Sequence, residues 1–213
     1  MYINIHTHKV DERDDVKCIV NLPSDVKEIP DEGRFSVGVH PWDVDHLVHA
    51  KLSDICRLLQ ERNVVAFGEI GLDQLSENGY ERQEAVFETQ IKMANLLQKP
   101  IIIHCVKAYN EIVRYKGMIS VPAIIHGFRG KPQLADQLCR AGYFISFGNK
   151  FNEESLIQTP TNRLFLETDD DEEADIKEIY ERVAALRNCS VEELKKQIER
   201  NYEGIFCQRQ KTN

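Results

Sequence analysis

Eight short apolar segments recur along the chain, and stretches with helical spacing separate most of them. Strands that alternate with helices pair in parallel, and eight such strands close into a barrel. The expected fold class is therefore α/β, a TIM-type (β/α)8 barrel. The predicted strands are Tyr2–Ile5, Lys17–Leu22, Phe35–Val39, Val64–Gly68, Pro100–Ile103, Pro122–Ile125, Tyr143–Phe147 and Arg163–Leu166.

The helical pattern is clearest in four stretches, two of them after the last strand, and the last is opened by Ser190 as an N-cap. The first two connections between strands are too short for full helices, so the barrel should be somewhat reduced on that side. The acidic residues after Asp169 are interpreted as a solvated helix start. The predicted helices are Leu47–Arg62, Tyr80–Gln98, Asp171–Arg187 and Val191–Phe206.

Length and charge limit the class of protein. A chain of 213 residues that is 42% hydrophobic can bury one substantial core, so a single domain over residues 1–213 is expected. The formal net charge of −8 argues against a surface that binds polyanions by bulk attraction. A nucleic-acid substrate would therefore need local cations or metal ions.

The six cysteines contain no CxxC pair, which argues against a zinc ribbon or a disulfide framework. The first predicted strand begins at Tyr2, which leaves no room for a leader peptide, and no apolar run approaches the length of a membrane span. The expected protein is cytoplasmic and has no membrane partner.

The segment Val64–Asp73 runs from apolar residues straight into Glu69, which stands between Gly68 and Gly71. A buried carboxylate needs a partner, and several other apolar runs also end in residue types that bind metals. We therefore expect Glu69 to lie at the centre of a metal site built from strand ends.

Five of the seven histidines lie at or just past the end of a predicted strand. In a parallel barrel these ends converge on one face, where catalytic residues are found. The i, i+2 spacing of His6 and His8 turns both imidazoles to the same face, as chelation of one ion requires. His46 and His49 instead fall on a predicted helix. The strand-end histidines are His6, His8, His40, His104 and His126.

These motifs resemble those of the TatD family of metal-dependent hydrolases, the TatD-related deoxyribonucleases within the amidohydrolase-like barrels. The similarity spans nearly the whole chain, and the motifs keep a specific order and spacing. The matching stretches are GVHPW (Gly38–Trp42), GEIGLD (Gly68–Asp73), the pattern Gln83, Phe87, Gln90 and Ala94, PIIIHC (Pro100–Cys105), IIHGFRG (Ile124–Gly130), LETD (Leu166–Asp169) and NYEGIF (Asn201–Phe206).

The resemblance implies two divalent metal ions bridged by Glu69. Histidine and carboxylate ligands without a thiolate suit Zn, Mg, Mn or Fe, and ligand type alone does not choose among them. The implied ligands are His6, His8, Glu69 and Asp169 for one ion, and Glu69, His104 and His126 for the other.

The sequence departs from the family pattern in three places. Asn4 stands where the family usually has an acid, and Lys107 follows Val106 where an arginine is common two residues after the histidine. The segment after Asp169 lacks the usual proline and the long connection. The chain is therefore interpreted as a shortened member with a more open active-site rim.

The remaining roles rest on chemistry. Asp169 is placed to ligate one ion and to act as general base, alongside Glu69 as the bridging catalytic carboxylate. His40 contacts either the substrate or only the His-Pro turn that it caps. Lys107 and Arg129 could bind a phosphate, or they could be solvated loop cations. Cys105 should face away from His104 and pack in the core.

The first functional hypothesis is a phosphodiesterase, most specifically a deoxyribonuclease, that uses a hydroxide bridged between two divalent metals. The second is a hydrolase of a small ester, lactone or amide on the same binuclear site, because that site polarises a carbonyl equally well. A non-catalytic metal-binding module is the third, and the bridging carboxylate argues against it. The expected partner is DNA or a small phosphoester substrate; no obligate protein partner is indicated.

Overall fold

The structure is a computed structural model, and it describes residues 1–45 and 48–207. The predicted helical positions of His46 and Leu47 lie outside the described residues. Across the described ranges, eight parallel strands form one sheet in which each strand pairs with the next along the chain. The strands are β1 (Tyr2–Thr7), β2 (Val16–Asn21), β3 (Phe35–Val37), β4 (Val64–Asp73), β5 (Ile101–Val106), β6 (Ala123–Ile125), β7 (Phe144–Phe147) and β8 (Leu164–Leu166).

The sheet curls into a nearly closed barrel. An isolated parallel bridge joins Thr7 on β1 to Asp169, which lies just after β8. Asp169 N donates to His6 O at 3.1 Å, and His8 N donates to Asp169 O at 3.2 Å. The predicted parallel barrel is therefore confirmed, and its closing contacts lie at the end that carries the candidate ligands.

Strand β4 is longer than the sequence indicated. The predicted strand stopped at Gly68, but β4 continues to Asp73, with a shift in its register against β5 after Phe67. Gly71 has φ +153°, and a Cβ there would collide with the carbonyl oxygen of His104. The glycine therefore allows β4 and β5 to stay paired past the bend, because it has no side chain between them.

Seven α-helices are found in the part of the chain that the structure describes, and the four predicted ones are among them. Residues 8–15 and 22–34, which the structure describes in full, contain no helix, so the reduced side of the barrel is as predicted. The helices are α1 (Val48–Leu58), α2 (Tyr80–Leu97), α3 (Tyr109–Tyr115), α4 (Pro132–Arg140), α5 (Glu153–Gln158), α6 (Ile176–Leu186) and α7 (Val191–Phe206).

The acidic run is not the start of α6, so that prediction was wrong. Helix α6 begins at Ile176, and the carboxylate of Asp175 caps it by accepting from Lys177 N at 2.8 Å. Within the run, Asp171 Oδ1 accepts from Glu173 N at 3.2 Å. A side chain that bonds its own backbone two residues on favours a turn over a helix.

The last two helices cover the barrel on the side that lacks early helices. The buried hydroxyl of Tyr180 on α6 accepts from Ile3 N at 3.0 Å and donates to Ile3 O at 3.1 Å. Asn201 on α7 donates to Leu164 O at 2.9 Å. Among the described residues, no helix combines the length and apolar character needed to cross a membrane. The cytoplasmic location stays a prediction.

Candidate metal centre

Glu69 lies on β4 with only 6% of its surface exposed, and its two carboxylate oxygens face different groups of histidines. On one side, Oε2 lies 3.5 Å from His6 Nε2 and 3.8 Å from His8 Nε2. The Oδ1 atom of Asp169 lies 3.3 Å and 3.6 Å from the same two nitrogens. The ends of β1, β4 and β8 thus bring two imidazoles and two carboxylates together.

On the other side, Glu69 Oε1 lies 2.7 Å from His104 Nδ1 and 2.6 Å from His126 Nε2. His40 Nε2 is 3.4 Å from the same oxygen. His104 lies in the second half of β5, His126 directly follows β6, and His40 comes shortly after β3. The structure therefore brings all six predicted ligand residues together, and it adds His40 to the side that holds His104.

The charges of these groups depend on one another. Burial opposes ionisation of Glu69, but His126, His104 and His40 outweigh it and hold its pKa well below the usual value. Burial and His126 also oppose a charge on His6, yet the carboxylates of Asp169 and Glu69 raise its pKa to about 9. Burial likewise opposes a charge on His126, and Glu69 raises its pKa well above the usual value. Strong mutual charge stabilisation in a cleft is typical of functional sites.

Asp169 and His8 complete this electrostatic pattern. Burial opposes ionisation of Asp169, but the contact with His6 outweighs it and lowers the pKa to about 2. Burial, followed by His6, lowers the pKa of His8. The cluster therefore contains two ionised carboxylates, and His8 offers a neutral imidazole, the form that binds metals.

The donor set fits divalent cations. Neither ring nitrogen of the fully buried His6 makes a hydrogen bond of good geometry with the described residues. Buried polar atoms normally have partners, and a cation bound between Nε2 and the facing oxygens of Glu69 and Asp169 would supply one. Three sets of donor atoms lie close enough to share an ion: His6, His126 and Asp169; His6, His8 and Glu69; and His40, Glu69 and His104. The second and third sets share only Glu69.

His40 caps the His-Pro turn, which is one of the two roles that the sequence analysis left open for it. Its Nδ1 accepts a hydrogen bond from Trp42 N at 3.1 Å and opens a short 3₁₀ helix over Pro41–Asp43. This contact directs Nε2 towards Glu69. One ring therefore caps the turn and faces the centre with its other nitrogen.

Two buried carboxylates hold the histidines of the Oε1 side, and the sequence analysis assigned neither. Asp73 Oδ2 lies 3.4 Å from His104 Nε2. Glu167 Oε1 lies 3.3 Å from His126 Nδ1 and accepts from Gly127 N at 2.6 Å. Carboxylates in this position fix the tautomer and orientation of metal-binding imidazoles. Each stands within the quoted motifs, but the sequence did not show which histidine it would meet.

Helix α2 positions two of the strand ends through glutamine side chains. The amide of Gln90 exchanges two hydrogen bonds with the backbone of Val39, at 2.8 and 3.0 Å. Gln83 does the same with the backbone of Asp73, at 2.9 and 3.1 Å. These paired bonds fix the backbone before His40 and at the end of β4.

The position of Asp169 is fixed by its neighbours on β1. Asn4 accepts from Thr168 N at 3.1 Å and donates to Thr168 Oγ1 at 2.8 Å. Thr168 Oγ1 in turn donates to Thr7 Oγ1 at 3.1 Å. An ionised acid in place of Asn4 could only accept from this hydroxyl, which would take its proton away from Thr7, so the departure from the family pattern suits this local network. Asp169 itself has φ +55°, a conformation that non-glycine residues seldom adopt outside functional sites and turns.

The two predicted phosphate-binding residues lie beside the histidines. Lys107 and Arg129 line one pocket of about 330 Å³ together with His104, His126 and Asp169. Cys105 is buried in the core as predicted, and burial raises the pKa of its thiol to about 12.

A parallel barrel with a histidine and carboxylate cluster at its strand ends is typical of a metal-dependent hydrolase. The sequence matches the family of TatD related DNases over residues 6–207. The chain belongs to this family, and the prediction of a metal-dependent hydrolase is confirmed.

Relatives and solved structures agree with this assignment. An uncharacterized metal-dependent hydrolase of Bacillus subtilis, YabD, is 28% identical over 194 residues, or 80% of this chain and 76% of the relative. The 3'-5' ssDNA/RNA exonuclease TatD of Edwardsiella piscicida is 31% identical over 152 residues, or 66% of this chain and 58% of that protein.

The crystal structure of Escherichia coli YjjV, a TatD homologue, has a TM-score of 0.83 at 21% identity and covers 98% of both chains. A TatD family hydrolase of Entamoeba histolytica has a TM-score of 0.76 at 16% identity and covers 96% of this chain and 97% of that one. At these identities the two structures show the fold.

Proposed function

We propose that this chain is a metal-dependent phosphodiesterase that hydrolyses DNA, with two divalent ions held on opposite sides of Glu69. The observation that carries this proposal is that the two carboxylate oxygens of Glu69 face different histidines. Oε2 faces His6 and His8, while Oε1 faces His104 and His126. A carboxylate that offers one oxygen to each of two donor groups is suited to bridging. The family description and the name of the Edwardsiella relative support a nucleic-acid substrate.

Divalent ions at this centre supply Lewis acidity and neutralise charge on the phosphoryl group. The protein supplies the remaining steps. Asp169 takes a proton from the attacking water, because its carboxylate is ionised at neutral pH and its side chain keeps 27% of its surface open to the pocket. His40 directs Nε2 to the same centre, where it donates a hydrogen bond to an oxygen of the substrate.

Lys107 and Arg129 orient the phosphate in the neighbouring pocket. Arg129 offers paired donors to two phosphate oxygens, and Lys107 adds a point charge. Lys107 has φ +54°, so its backbone is held in a conformation that is unusual for lysine. With a net charge of −8 the chain has no bulk attraction for DNA, so binding depends on these cations and on the metal centre.

The experiment is reconstitution followed by a substrate panel. Protein stripped with a chelator and reloaded separately with Zn, Mg, Mn or Fe is assayed on single-stranded DNA, duplex DNA and small carboxylic esters. We expect cleavage of DNA only by the reloaded protein. The affinity for DNA should fall only slowly with salt concentration. Each neutralised phosphate releases about 0.9 counterions, and this chain neutralises few phosphates.

Arg129→Met and Arg140→Met form a matched pair for this assay. Arg140 lies on α4, is largely exposed and pairs with Asp136. The Arg129 variant should raise KM for DNA, and the Arg140 variant should not. Turnover of small esters without cleavage of any DNA would refute the phosphodiesterase and favour the ester, lactone or amide hydrolase.

A further inference from the structure

Trp42 is the only tryptophan of the chain, and it is 64% exposed beside the metal centre. Its ring centroid lies 4.8 Å from that of His40 and 6.0 Å from that of His104, with interplanar angles of 82° and 71°. Aromatic rings of this size usually contribute by burial. An exposed indole beside the candidate metal centre instead offers a flat apolar face on which a bound ligand can stack.

The exposed ring is nevertheless held in place. Trp42 Nε1 donates to Asp73 Oδ2 at 2.7 Å, and Asp73 is only 3% exposed. The amide of Asn78 donates to Trp42 O at 2.7 Å and to Pro41 O at 3.0 Å. Both the ring and its backbone are thus fixed before any ligand arrives. A preorganised surface loses little conformational freedom on binding.

A second exposed apolar side chain stands in the same pocket. Leu75 is 63% exposed, and with Trp42 it lines a pocket of about 550 Å³. Leu75 N donates to Asp73 Oδ1 at 2.8 Å, so the two oxygens of one carboxylate position Trp42 and the backbone of Leu75. Trp42 also lines the adjoining pocket of about 510 Å³ that contains Glu69 and His104. The ring therefore lies between the metal centre and the Leu75 pocket.

We propose that Trp42 and Leu75 form a subsite for the base of an unpaired nucleotide next to the phosphodiester at the metal centre; this inference rests on the proposed function. Every base has an aromatic face, so an indole stacks on it without choosing a sequence. A base inside a duplex already stacks on its neighbours and cannot give a face to Trp42. The subsite therefore favours unpaired bases, and Ser76, Glu77 and Asn78 line the same pocket.

Because the chain has one tryptophan, fluorescence excited at the long-wavelength edge where only indole absorbs reports on Trp42 and not on the tyrosines. The full-length protein without metal is titrated with deoxyadenosine and, in parallel, with deoxyribose. We expect saturable quenching by deoxyadenosine and none by the sugar. Leu75→Ala should weaken deoxyadenosine binding about fivefold, whereas Leu96→Ala, an apolar residue 82% exposed on α2, should leave it unchanged. Absence of quenching, equal quenching by the sugar, or an unchanged Leu75→Ala variant would overturn the subsite.

The kinetic test uses the metal-loaded enzyme with an unpaired dinucleotide and with its analogue that lacks the base. The wild-type chain should prefer the dinucleotide, chiefly through KM. Trp42→Ala should reduce this preference about tenfold, since stacking typically contributes that much. Trp42→Phe keeps a ring but loses the Asp73 contact, and it should retain most of the preference. A Phe variant as poor as the Ala variant would assign the effect to the Asp73 contact and contradict stacking.

The two proposals fail in different ways. Equal cleavage of the dinucleotide and the base-free analogue by the wild type would reject the subsite and leave the phosphodiesterase intact. Deoxyadenosine binding at Trp42 without cleavage of any phosphodiester would support the subsite and reject the phosphodiesterase.

Discussion

Asp73 Oδ2 lies 3.4 Å from His104 Nε2, while Nδ1 of the same ring lies 2.7 Å from Glu69 Oε1. Burial opposes ionisation of Asp73, but hydrogen bonds from Trp42, Leu75 N and His104 outweigh it and lower its pKa. Nε2 of His104 thus faces Asp73 and Nδ1 faces the centre, so when a divalent ion is bound beside Glu69 the Asp73 carboxylate would hold the ring proton on Nε2 and free the Nδ1 lone pair for the ion.

Asp73→Asn should therefore weaken metal binding on the His104 side by about 10- to 100-fold, the usual cost of losing a carboxylate behind a metal-binding histidine. Titration with a metal-sensitive dye measures this, and circular dichroism checks the fold. Asp136→Asn removes an exposed acid on α4 and should change nothing. Unaltered affinity in Asp73→Asn would mean that the contact does not orient His104.

The stoichiometry of metal binding tests the bridging role of Glu69. Wild-type protein should take up two divalent ions per chain, Glu69→Ala should weaken both sites, and His126→Ala should chiefly weaken one. Isothermal titration with elemental analysis measures both the number and the affinity of the ions. One ion per chain in saturating metal, with Glu69→Ala binding it normally, would eliminate the bridged centre.

Asp169 is assigned two roles that one substitution separates. Asn keeps an oxygen and the shape but has no basic carboxylate, so Asp169→Asn should keep metal and substrate while kcat falls by about 10²–10⁴, the usual contribution of a general base. KM should change far less. The neighbouring exposed acid gives the control, because Asp170→Asn should stay within a few-fold of the parent. Similar turnover of a metal-loaded Asp169→Asn would remove Asp169 from the mechanism.

Arg13 joins the connection after β1 to the start of α6. Its guanidinium donates to Asp11 at 2.6 Å and to both oxygens of Asp175, at 2.9 and 3.0 Å. These contacts lower the pKa of Asp11 and of Asp175. A carboxylate whose pKa is lowered by folding stabilises the folded state at pH values above its pKa in the unfolded chain, near 3.9. This stabilisation is lost as the pH falls through the pKa of the folded state.

Arg13→Met should therefore lower the free energy of unfolding at neutral pH by about 0.5–1 kcal/mol, a small value because the pairs are partly exposed. The difference between variant and parent should vanish once both carboxylates are protonated. Urea unfolding across the acidic range measures it. Arg140→Met breaks a more exposed pair on α4 and should have a smaller effect. A difference that persists in strong acid would have a cause other than these charges.

Tyr180 and Tyr202 give a matched pair for the packing of the last two helices, since both are fully buried. Tyr180→Phe removes the partner of Ile3 N and should cost about 1–3 kcal/mol, the penalty for a buried group left unpaired. The hydroxyl of Tyr202 has no hydrogen-bond partner among the residues described, so Tyr202→Phe should be neutral or stabilising. Chemical denaturation of both variants measures this, and equal effects would contradict it.

The sequence by itself determined the barrel and the convergence of its ligands. Apolar runs separated by helical patterns are local features, and parallel strands must present their ends on one face. Placing His6, His104 and His126 at such ends therefore places them near Glu69, whatever the details of the loops. The short connections also predicted the reduced side of the barrel, because chain length alone limits them.

Only the tertiary structure decided which groups meet. Asp73, Glu167 and Gln90 contact partners between 31 and 51 residues away, and no local pattern encodes such distances. The extension of β4 past Gly68 depends on a close approach between two backbones, and the turn after Asp169 depends on side chains that bond their own backbone. Trp42 looks like an ordinary motif residue in the sequence. Its ring is held beside the candidate metal centre by a hydrogen bond to Asp73, which lies 31 residues away in the sequence.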